Sequence, residues 1–396
     1  MPDFGFTEEQ EIFRKSLREY LEKNISGTAT EMFKSNSVSK EVYKKLSDFG
    51  LPGLKIPQEY GGADADWITC VIAIEELARA DLSGRSVIPL LLNLTEGYTL
   101  AKFGTDQLKE ELLPKIVKGE AVLGVAATEP GCGTNVAAIK TTMKKDGDEY
   151  IINGEKQYLS DVAEAELLGG GHLVTGKTTP ELGYKGMSVV YVPIDSEGIK
   201  TLEFETIGLP LGGLVFENVR VPTYHLIGEE NKGIYLTMES FVTTRIPVTM
   251  GIIGATKRVL EMGIDYLQQR KAFGRAIGSF EGLQFQLAED YARWEAARWL
   301  TYRAAWMHEE MDKSGRFTSF EVSMAASEAK LVASIDCGKA CIDVMNWHGA
   351  TGTTTEFDVH MAVRNAFGMG MAEGTLEAQK LTIGMTLLGR EYAPYR

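Results

Sequence analysis

Cysteine and histidine are both scarce in this chain of 396 residues, which contains four of the first and five of the second. No two cysteines form a CxxC pair, and the histidines lie apart, without the spacing of metal ligands. Cys337 and Cys341 stand one helical turn apart among alanine and isoleucine, a setting typical of buried thiols. We therefore expect reduced cysteines and no metal site.

Basic residues are too few to balance the acids, because 41 lysines and arginines face 55 aspartates and glutamates. The formal net charge of −14 argues against nucleic acid or an anionic membrane surface as the main partner. Long apolar runs are also missing, since none approaches the roughly 20 residues that a membrane-spanning helix needs. The N-terminus is acidic and lacks a basic and apolar targeting segment, so we expect a cytoplasmic protein.

The sequence does contain a change of periodicity that divides it into three parts. Residues 1–120 carry apolar side chains at helical spacing, after a capping box formed by Thr7 and Gln10. Residues 121–228 alternate over six or more short segments, which predicts an antiparallel β-barrel or sandwich. Residues 229–396 return to helical spacing and predict a four-helix bundle. We therefore predict an α+β fold with an N-terminal helical domain, a middle β domain and a C-terminal helical bundle.

Two local signals predict where individual elements end. Pro114 should end the short helix that begins at Asp106, because proline has no backbone N–H to donate. Asn153-Gly154 should form a tight turn after a strand, since this dipeptide favours hairpin turns.

Residues 171–178 (GHLVTGKT) match the Walker A pattern of phosphate-binding loops. Such a loop must follow a strand and open a helix, but Pro180 and the glycines after it exclude a helix here. We interpret residues 173–175 as a strand and residues 176–186 as a hairpin loop.

Residues 123–134 (LGVAATEPGCGT) begin as a small, apolar strand and end in a turn. Pro130 cannot donate to a sheet, and the two glycines accept backbone angles that other residues resist. Bare amide groups and the hydroxyls of Thr128 and Thr134 could hydrogen-bond a heterocycle or approach a phosphate. From these residues alone, an ordinary exit from a strand into a loop is the simpler interpretation.

Three further motifs follow that loop: residues 153–160 (NGEKQYLS), 270–274 (RKAFG) and 373–375 (EGT). In this order and at this spacing, the four motifs resemble the acyl-CoA dehydrogenase family, and the likeness extends from Phe6 to about residue 390. The resemblance implies the same three-domain fold, an FAD cofactor and a homotetramer. It also implies an acyl-CoA thioester as substrate and an electron-transferring flavoprotein as electron acceptor.

The resemblance implies that Glu373 is the catalytic base, which removes the α proton of the thioester while the β hydrogen passes to the flavin as hydride. The apolar neighbours Met371 and Ala372 should raise the pKa of this carboxylate. The alternative is a carboxylate that merely caps the helix starting near Thr375. Some relatives carry the base on a long helix before an arginine, where this chain has Thr244.

The other site residues are also implied by the resemblance. The residues expected to bind FAD are Val125, Ala126, Ala127, Thr128, Tyr158, Leu159, Ser160, Arg270, Phe273, Gly349 and Thr375. The residues expected to bind the substrate are Thr134, Thr244, Arg245 and Gly374. Of the first group, Arg270 and Phe273 should reach the FAD diphosphate of a neighbouring subunit.

Departures from the family pattern bear on the substrate. Ala372 replaces the usual tyrosine before the base, which should widen the pocket for a branched, cyclic or bulky acyl group. Arg85 lies near the position of a carboxylate-binding arginine in glutaryl-type relatives, so a dicarboxylic substrate is a minority interpretation. The alternatives in function are a decarboxylating or desulfinating relative, an acyl-CoA oxidase, or a non-enzymatic flavoprotein that binds acyl-CoA.

Overall fold

The computed structural model describes residues 5–392 and residue 394 of the chain. These residues form two compact units. One, which we call the bundle unit, contains the chain up to Lys34, Trp67–Val87 and everything described from Arg245 onward. The other, which we call the sheet unit, contains Ser35–Asp66 and Ile88–Thr244. None of the helices in the described part of the chain combines the length and apolar character needed to cross a bilayer.

Helices form both ends of the chain, as the sequence predicted. The N-terminal helices are α1 (Glu8–Asn24), α2 (Ala29–Ser35), α3 (Lys40–Asp48), α4 (Trp67–Ala80), α5 (Val87–Phe103) and α6 (Asp106–Val117), and a short α7 (Val162–Leu168) follows within the β region. The C-terminal helices are α8 (Gly233–Gln269), α9 (Glu281–Ser314), α10 (Ser319–Val332), α11 (Gly338–Trp347), α12 (Val359–Met371) and α13 (Leu376–Leu388). The capping box of Thr7 and Gln10 is present at the start of α1.

An eight-stranded sheet forms the middle of the chain. Its strands are β1 (Val122–Ala126), β2 (Thr142–Asp146), β3 (Glu149–Leu159), β4 (Gly170–Lys177), β5 (Met187–Pro193), β6 (Ile199–Phe204), β7 (Leu211–Pro222) and β8 (Leu226–Ile227), and β9 (Lys271–Ala272) with β10 (Arg275–Ala276) makes a separate small hairpin. The order is β6-β7-β3-β2-β4-β5-β8, with β1 beside β4. The sheet is mixed rather than wholly antiparallel, because β1 pairs with β4 in parallel after a connection through β2, β3 and α7.

The prediction of a tight turn at Asn153-Gly154 is wrong. β3 runs straight through this dipeptide, and its register against β7 shifts between Ile152 and Gly154, as in a bulge. The Asn153 side chain accepts a hydrogen bond from the backbone N–H of Asn218 in β7, so the dipeptide is held by cross-strand pairing. The turn lies earlier, where Gly147 adopts a positive φ of +62° between β2 and β3.

The helices also differ from the prediction in three ways. α6 continues past Pro114 to Val117, because the helix resumes with a backbone hydrogen bond from Lys118 to the Pro114 carbonyl. The helix predicted from Thr318 to about residue 348 is present, but a five-residue π-helical segment, Ala333–Cys337, interrupts it. Helix α12 was not predicted. Residues 171–178 lie mainly in β4, which confirms that they are not a phosphate-binding loop.

Candidate active site

The turn between α12 and α13, residues 372–375, carries the predicted base, and we call it the base turn. Glu373 and Gly374 both adopt left-handed backbone conformations, with φ of +52° and +94°. For a residue with a side chain this costs on the order of 1 kcal/mol, so the surroundings must fix it. Thr375 caps α13, and Gln379 Nε2 donates to the carbonyls of Glu373 at 3.3 Å and Gly374 at 2.7 Å.

Two buried cations also hold the base turn by its carbonyl groups. Arg245 Nε, from α8, donates to the Glu373 carbonyl at 3.2 Å. Lys330 Nζ, from α10, donates to the carbonyls of Ala372 and Gly374, the latter at 2.8 Å. Both side chains are buried. The backbone on either side of Glu373 is therefore tied to two other helices of the bundle unit.

The carboxyl group of Glu373 is in an environment that favours its protonated form. Its Oε2 atom is sealed from solvent and has no hydrogen-bond partner among the described residues. Burial raises the pKa of Glu373 to about 7, and the positive charges of Lys330 and Arg245 limit that rise. The prediction that its surroundings raise this pKa is confirmed, and a group that titrates near neutral pH can both take up and release a proton.

The raised pKa makes the effect of Glu373→Gln on stability depend on pH. Folded Glu373 keeps its proton up to about pH 7, whereas the unfolded chain releases it near its ordinary pKa of 4.5. Stability of the wild type therefore falls relative to Glu373→Gln as the pH rises through this window. We expect the difference in unfolding free energy to grow by about 2–3 kcal/mol between pH 4.5 and 7. Urea denaturation at several pH values measures it.

Glu377→Gln is the matched control, because Glu377 lies one helical turn away at the exposed start of α13. Its pKa is lowered rather than raised, chiefly by a backbone hydrogen bond. It should not reproduce the rising difference. A constant difference between Glu373→Gln and the wild type over this pH range would show that the Glu373 carboxyl is solvated.

The end of β1 and the loop that follows it bury some of their side chains and leave others partly exposed. Ala126 and Ala127 are buried, whereas the side chains of Val125 and Thr128 are half-exposed on the sheet unit. The backbone N–H of Gln157 donates to the Thr128 carbonyl at 3.0 Å, which places the end of β3 beside this loop. Two of the predicted motifs, 123–134 and 153–160, therefore meet.

A buried ion pair fixes this loop. Glu129 Oε1 accepts hydrogen bonds from Lys156 Nζ at 2.9 Å and from both the N–H and the hydroxyl of Thr141. Its Oε2 accepts from the N–H of Lys140 at 2.7 Å, and Lys156 also donates to the Ala127 carbonyl. Burial opposes both charges, yet the pKa of Glu129 is lowered because its partners outweigh burial. Burial lowers the pKa of Lys156 to about 8.

Tyr158 presents an aromatic ring at the end of β3. Its backbone is left-handed, with φ of +59°, and 59% of its surface is exposed. A bulky residue in this conformation is strained, and such strain is concentrated at binding sites. Ser160 is half-exposed, but the Leu159 side chain lies in the core of the sheet unit, so only its backbone can meet a ligand.

His172 supports this segment from beneath, and the sequence motifs did not single it out. Its Nε2 lies 3.0 Å from the Ser160 carbonyl, and burial lowers its pKa to about 4, so the ring is neutral. The ring fills the space beside Gly124, where an added Cβ would lie 2.4 Å from it. Any side chain at residue 124 would therefore clash with the His172 ring, so the histidine requires glycine at this position.

The exposed elements of the sheet unit fit a planar, hydrogen-bonding heterocycle. Tyr158 offers a ring face, Val125 an apolar contact, and Thr128 and Ser160 offer hydroxyl groups. In the turn that follows, a Cβ added to Gly131 or Gly133 would have nothing within 4 Å, so the backbone is open to close approach. Thr134 is exposed in this same turn.

The predicted residues beyond the base turn in the bundle unit are largely exposed. Phe273 is 95% exposed at the tip of the β9–β10 hairpin, and Arg270 is exposed just before it. Tyr266 accepts a backbone hydrogen bond from Arg270, and its ring stacks on His348 at 3.9 Å. The exposed Gly349 follows that histidine, so residues 270 and 349 belong to one neighbourhood.

The remaining two predicted positions are already engaged in hydrogen bonds. In the sheet unit, the hydroxyl of buried Thr244 donates to Glu96 at 3.4 Å, and Ser240 donates to the same carboxylate oxygen at 2.8 Å. In the bundle unit, Arg85 donates to the Ser83 carbonyl at 2.7 Å, and its guanidinium lies over the ring of Phe33. A carboxylate-binding role for Arg85 would compete with these contacts.

Comparison with known proteins extends over nearly the whole chain. Three family models match, described as the acyl-CoA dehydrogenase N-terminal domain over residues 7–120, the middle domain over residues 124–219 and the C-terminal domain over residues 231–388. The chain is 32% identical to the "3-(aryl)acrylate reductase" of Clostridium sporogenes, covering 97% of this chain and 99% of that protein. It is 31% identical to the "Acyl-CoA dehydrogenase" of Bacillus subtilis, with the same coverage.

A solved structure shows the same likeness in three dimensions. It is described as "Electron transferring flavoprotein of Acidaminococcus fermentans: Towards a mechanism of flavin-based electron bifurcation". One of its chains matches with a TM-score of 0.91 at 29% identity, covering 98% of this chain and 100% of that chain.

Proposed function

Since this chain belongs to the acyl-CoA dehydrogenase family of oxidoreductases, we propose that it is an FAD-dependent acyl-CoA dehydrogenase with Glu373 as its base. The observation that carries this proposal is the Glu373 carboxyl group: its Oε2 atom is buried, burial raises its pKa to about 7, and it lies on a turn that hydrogen bonds hold in place. An α proton of a thioester is weakly acidic, so its removal needs a base tuned toward neutrality. The product is a 2-enoyl-CoA.

The residues of this chain have separate roles in the proposed reaction. Glu373 takes the α proton onto its carboxylate, and the base turn keeps that carboxylate in one position through Arg245, Lys330 and Gln379. Tyr158 and the loop after β1 orient the flavin ring. FAD bound there would supply the two-electron acceptor for the β hydrogen.

We assign the remaining contacts within the same proposal. Arg270 and Phe273 contact the FAD diphosphate of a neighbouring subunit in a homotetramer, and Gly349 contacts the same cofactor. The exposure of these three residues supports a role outside their own protomer. An electron-transferring flavoprotein is the proposed redox partner, which the matching chain in the flavoprotein structure supports. The domains are residues 1–120, 121–228 and 229–396. The FAD-binding residues are Val125, Ala126, Ala127, Thr128, Tyr158, Leu159, Ser160, Arg270, Phe273, Gly349 and Thr375, and the substrate-binding residues are Thr134, Thr244, Arg245 and Gly374.

A spectroscopic titration tests the function and the acyl group together. The purified protein should be yellow, and one class of acyl-CoA thioester should bleach it in the absence of air. Because Ala372 leaves room beside the base, we expect a branched or cyclic acyl-CoA to react at least tenfold faster than butyryl-CoA, a ratio typical of one added or missing group in a pocket.

Ala372→Tyr is the matched variant for this comparison, because it restores a ring at the position before the base. It should lower the rate with the bulky thioester more than the rate with butyryl-CoA. A wild-type preference for straight chains would contradict the wide pocket, and a colourless protein that binds none of the thioesters would contradict the function itself.

Reduction of a 2-enoyl-CoA, the reverse of the same reaction, is a second candidate, and the raised pKa of Glu373 is equally compatible with it. Near pH 7 a large share of this group is protonated and can donate to the α carbon. The similarity to a protein named 3-(aryl)acrylate reductase supports this direction. Reduced viologen with an enoyl-CoA tests it: product formation faster than the forward reaction favours a reductase.

A further inference from the structure

The ammonium group of Lys330 binds the base turn, although Lys330 itself belongs to α10. Its side chain is completely buried, and its ammonium group donates to the carbonyls of Ala372 and Gly374, the residues on either side of Glu373. Burial lowers the pKa of Lys330 to about 7, and the carboxylate of Glu373 limits that fall. A lysine costs much more to bury than a neutral donor, so its charge calls for an explanation.

The charged groups that face Glu373 are few. Lys330 reaches it from α10 and Arg245 from α8, and both charges favour the ionised carboxylate against the effect of burial. Arg245 donates from Nε to the Glu373 carbonyl and from Nη1 to the Ser327 hydroxyl, the latter at 3.1 Å. Among the side chains that the structure describes, Lys330 is the one that donates to both flanking carbonyls, those of Ala372 and Gly374.

We propose that Lys330 is a positioning residue for the base: it fixes the backbone on both sides of Glu373, and its charge sets how tightly Glu373 holds its proton. This inference rests on the proposed function of Glu373. Lys330 does not touch the reacting atoms in this scheme and acts only through the base turn. Without its charge, Glu373 would be held in the protonated form to a higher pH, because burial would be opposed only by Arg245.

Lys330→Gln separates the charge from the hydrogen bond, because glutamine still donates to a carbonyl but carries no charge. We expect the acidic limb of the pH profile of kcat/KM to move upward by about one pH unit, which lowers the rate about tenfold at pH values below the limb. Lys330→Arg keeps the charge and should keep the limb within half a unit. Lys380→Met, on the exposed side of α13, is the matched control and should change nothing.

A second readout does not depend on activity. The stability difference between a variant with Glu373 and the same variant with Glu373→Gln grows with pH until Glu373 ionises in the folded state. In the Lys330→Gln background this growth should continue about one pH unit further than in the wild type. If Lys330→Gln does not fold, Lys330→Met removes the charge together with the hydrogen bonds, and the same extension of the stability window is expected because the charge is again absent.

The outcomes separate this inference from the proposed function. An unmoved limb and an unmoved stability window in Lys330→Gln, with Glu373→Gln inactive, would overturn the role of Lys330 alone. Wild-type turnover in Glu373→Gln would overturn the proposed function, while the stability window would still report on the interaction of the two side chains. Upward shifts of both readouts in Lys330→Gln, absent in Lys330→Arg, would establish the inference.

Discussion

Glu373→Gln is expected to lower turnover of the bleaching thioester by about a thousandfold, within the range that a positioned general base contributes. Glutamine preserves the size and the polar character of the side chain, so the base turn and its contacts with Arg245 and Lys330 should persist. The amide cannot accept the α proton at any accessible pH. Stopped-flow measurement of flavin bleaching gives the rate, and the visible spectrum before substrate addition gives the flavin content.

The flavin content of Glu373→Gln should equal that of the wild type, because the role proposed for Glu373 is to take up the substrate proton and not to bind the cofactor. Glu377→Gln, which removes an exposed carboxylate in the next helical turn, should react at the wild-type rate. If Glu373→Gln kept more than a tenth of the wild-type rate with full flavin, another residue would have to be the base.

Glu129→Gln should have the largest effect on stability and on flavin retention. It leaves the ammonium of Lys156 buried without its carboxylate and weakens the bonds to the N–H groups of Lys140 and Thr141. Removing one partner of a buried ion pair costs about 3–5 kcal/mol. Because this carboxylate fixes the loop after β1, purified Glu129→Gln should also contain less flavin per chain.

Urea denaturation and the ratio of visible to ultraviolet absorbance measure these two effects. Glu155→Gln, in the same strand as Lys156, is the control, since Glu155 is partly exposed and its carboxylate accepts a hydrogen bond from the neutral side chain of Gln157. The double variant Glu129→Gln/Lys156→Gln should recover part of the lost stability, because no uncompensated charge is left. A loss below 1 kcal/mol in Glu129→Gln would show that the pair is solvated.

Periodicity was sufficient to predict the helical, β and helical parts, because each has many residues with one repeat. Single-residue signals were less reliable, because their outcome depends on contacts far along the chain. Asn153-Gly154 favours a turn in isolation, yet pairing with Asn218 across the sheet keeps it within β3. Pro114 removes one donor from α6, but the next turn of the helix continues around it.

The sequence motif singles out Glu373 as the proposed base, whereas the side chains that hold the base turn were not predictable. Lys330 lies on α10, and a single lysine in a helical sequence normally indicates a solvent-exposed face. A signal was present, because Ala326, Ala329, Ala333 and Cys337 lie at helical spacing around it and mark a buried stripe. Only the fold shows that this stripe faces the carbonyls of the base turn.

Under the proposed function, the hydrogen bond from Thr244 to Glu96 bears on whether this chain could carry its base at position 244 instead of 373. A relative with its base at the position of Thr244 would differ here by one substitution, Thr244→Glu. In this chain that change would set a second carboxylate against a fully buried one, at a site where a hydroxyl now donates. Two like charges in that environment would suppress each other's ionisation. With Glu373 as the proposed base, a carboxylate at position 244 would therefore be easier to accommodate after a change at residue 96.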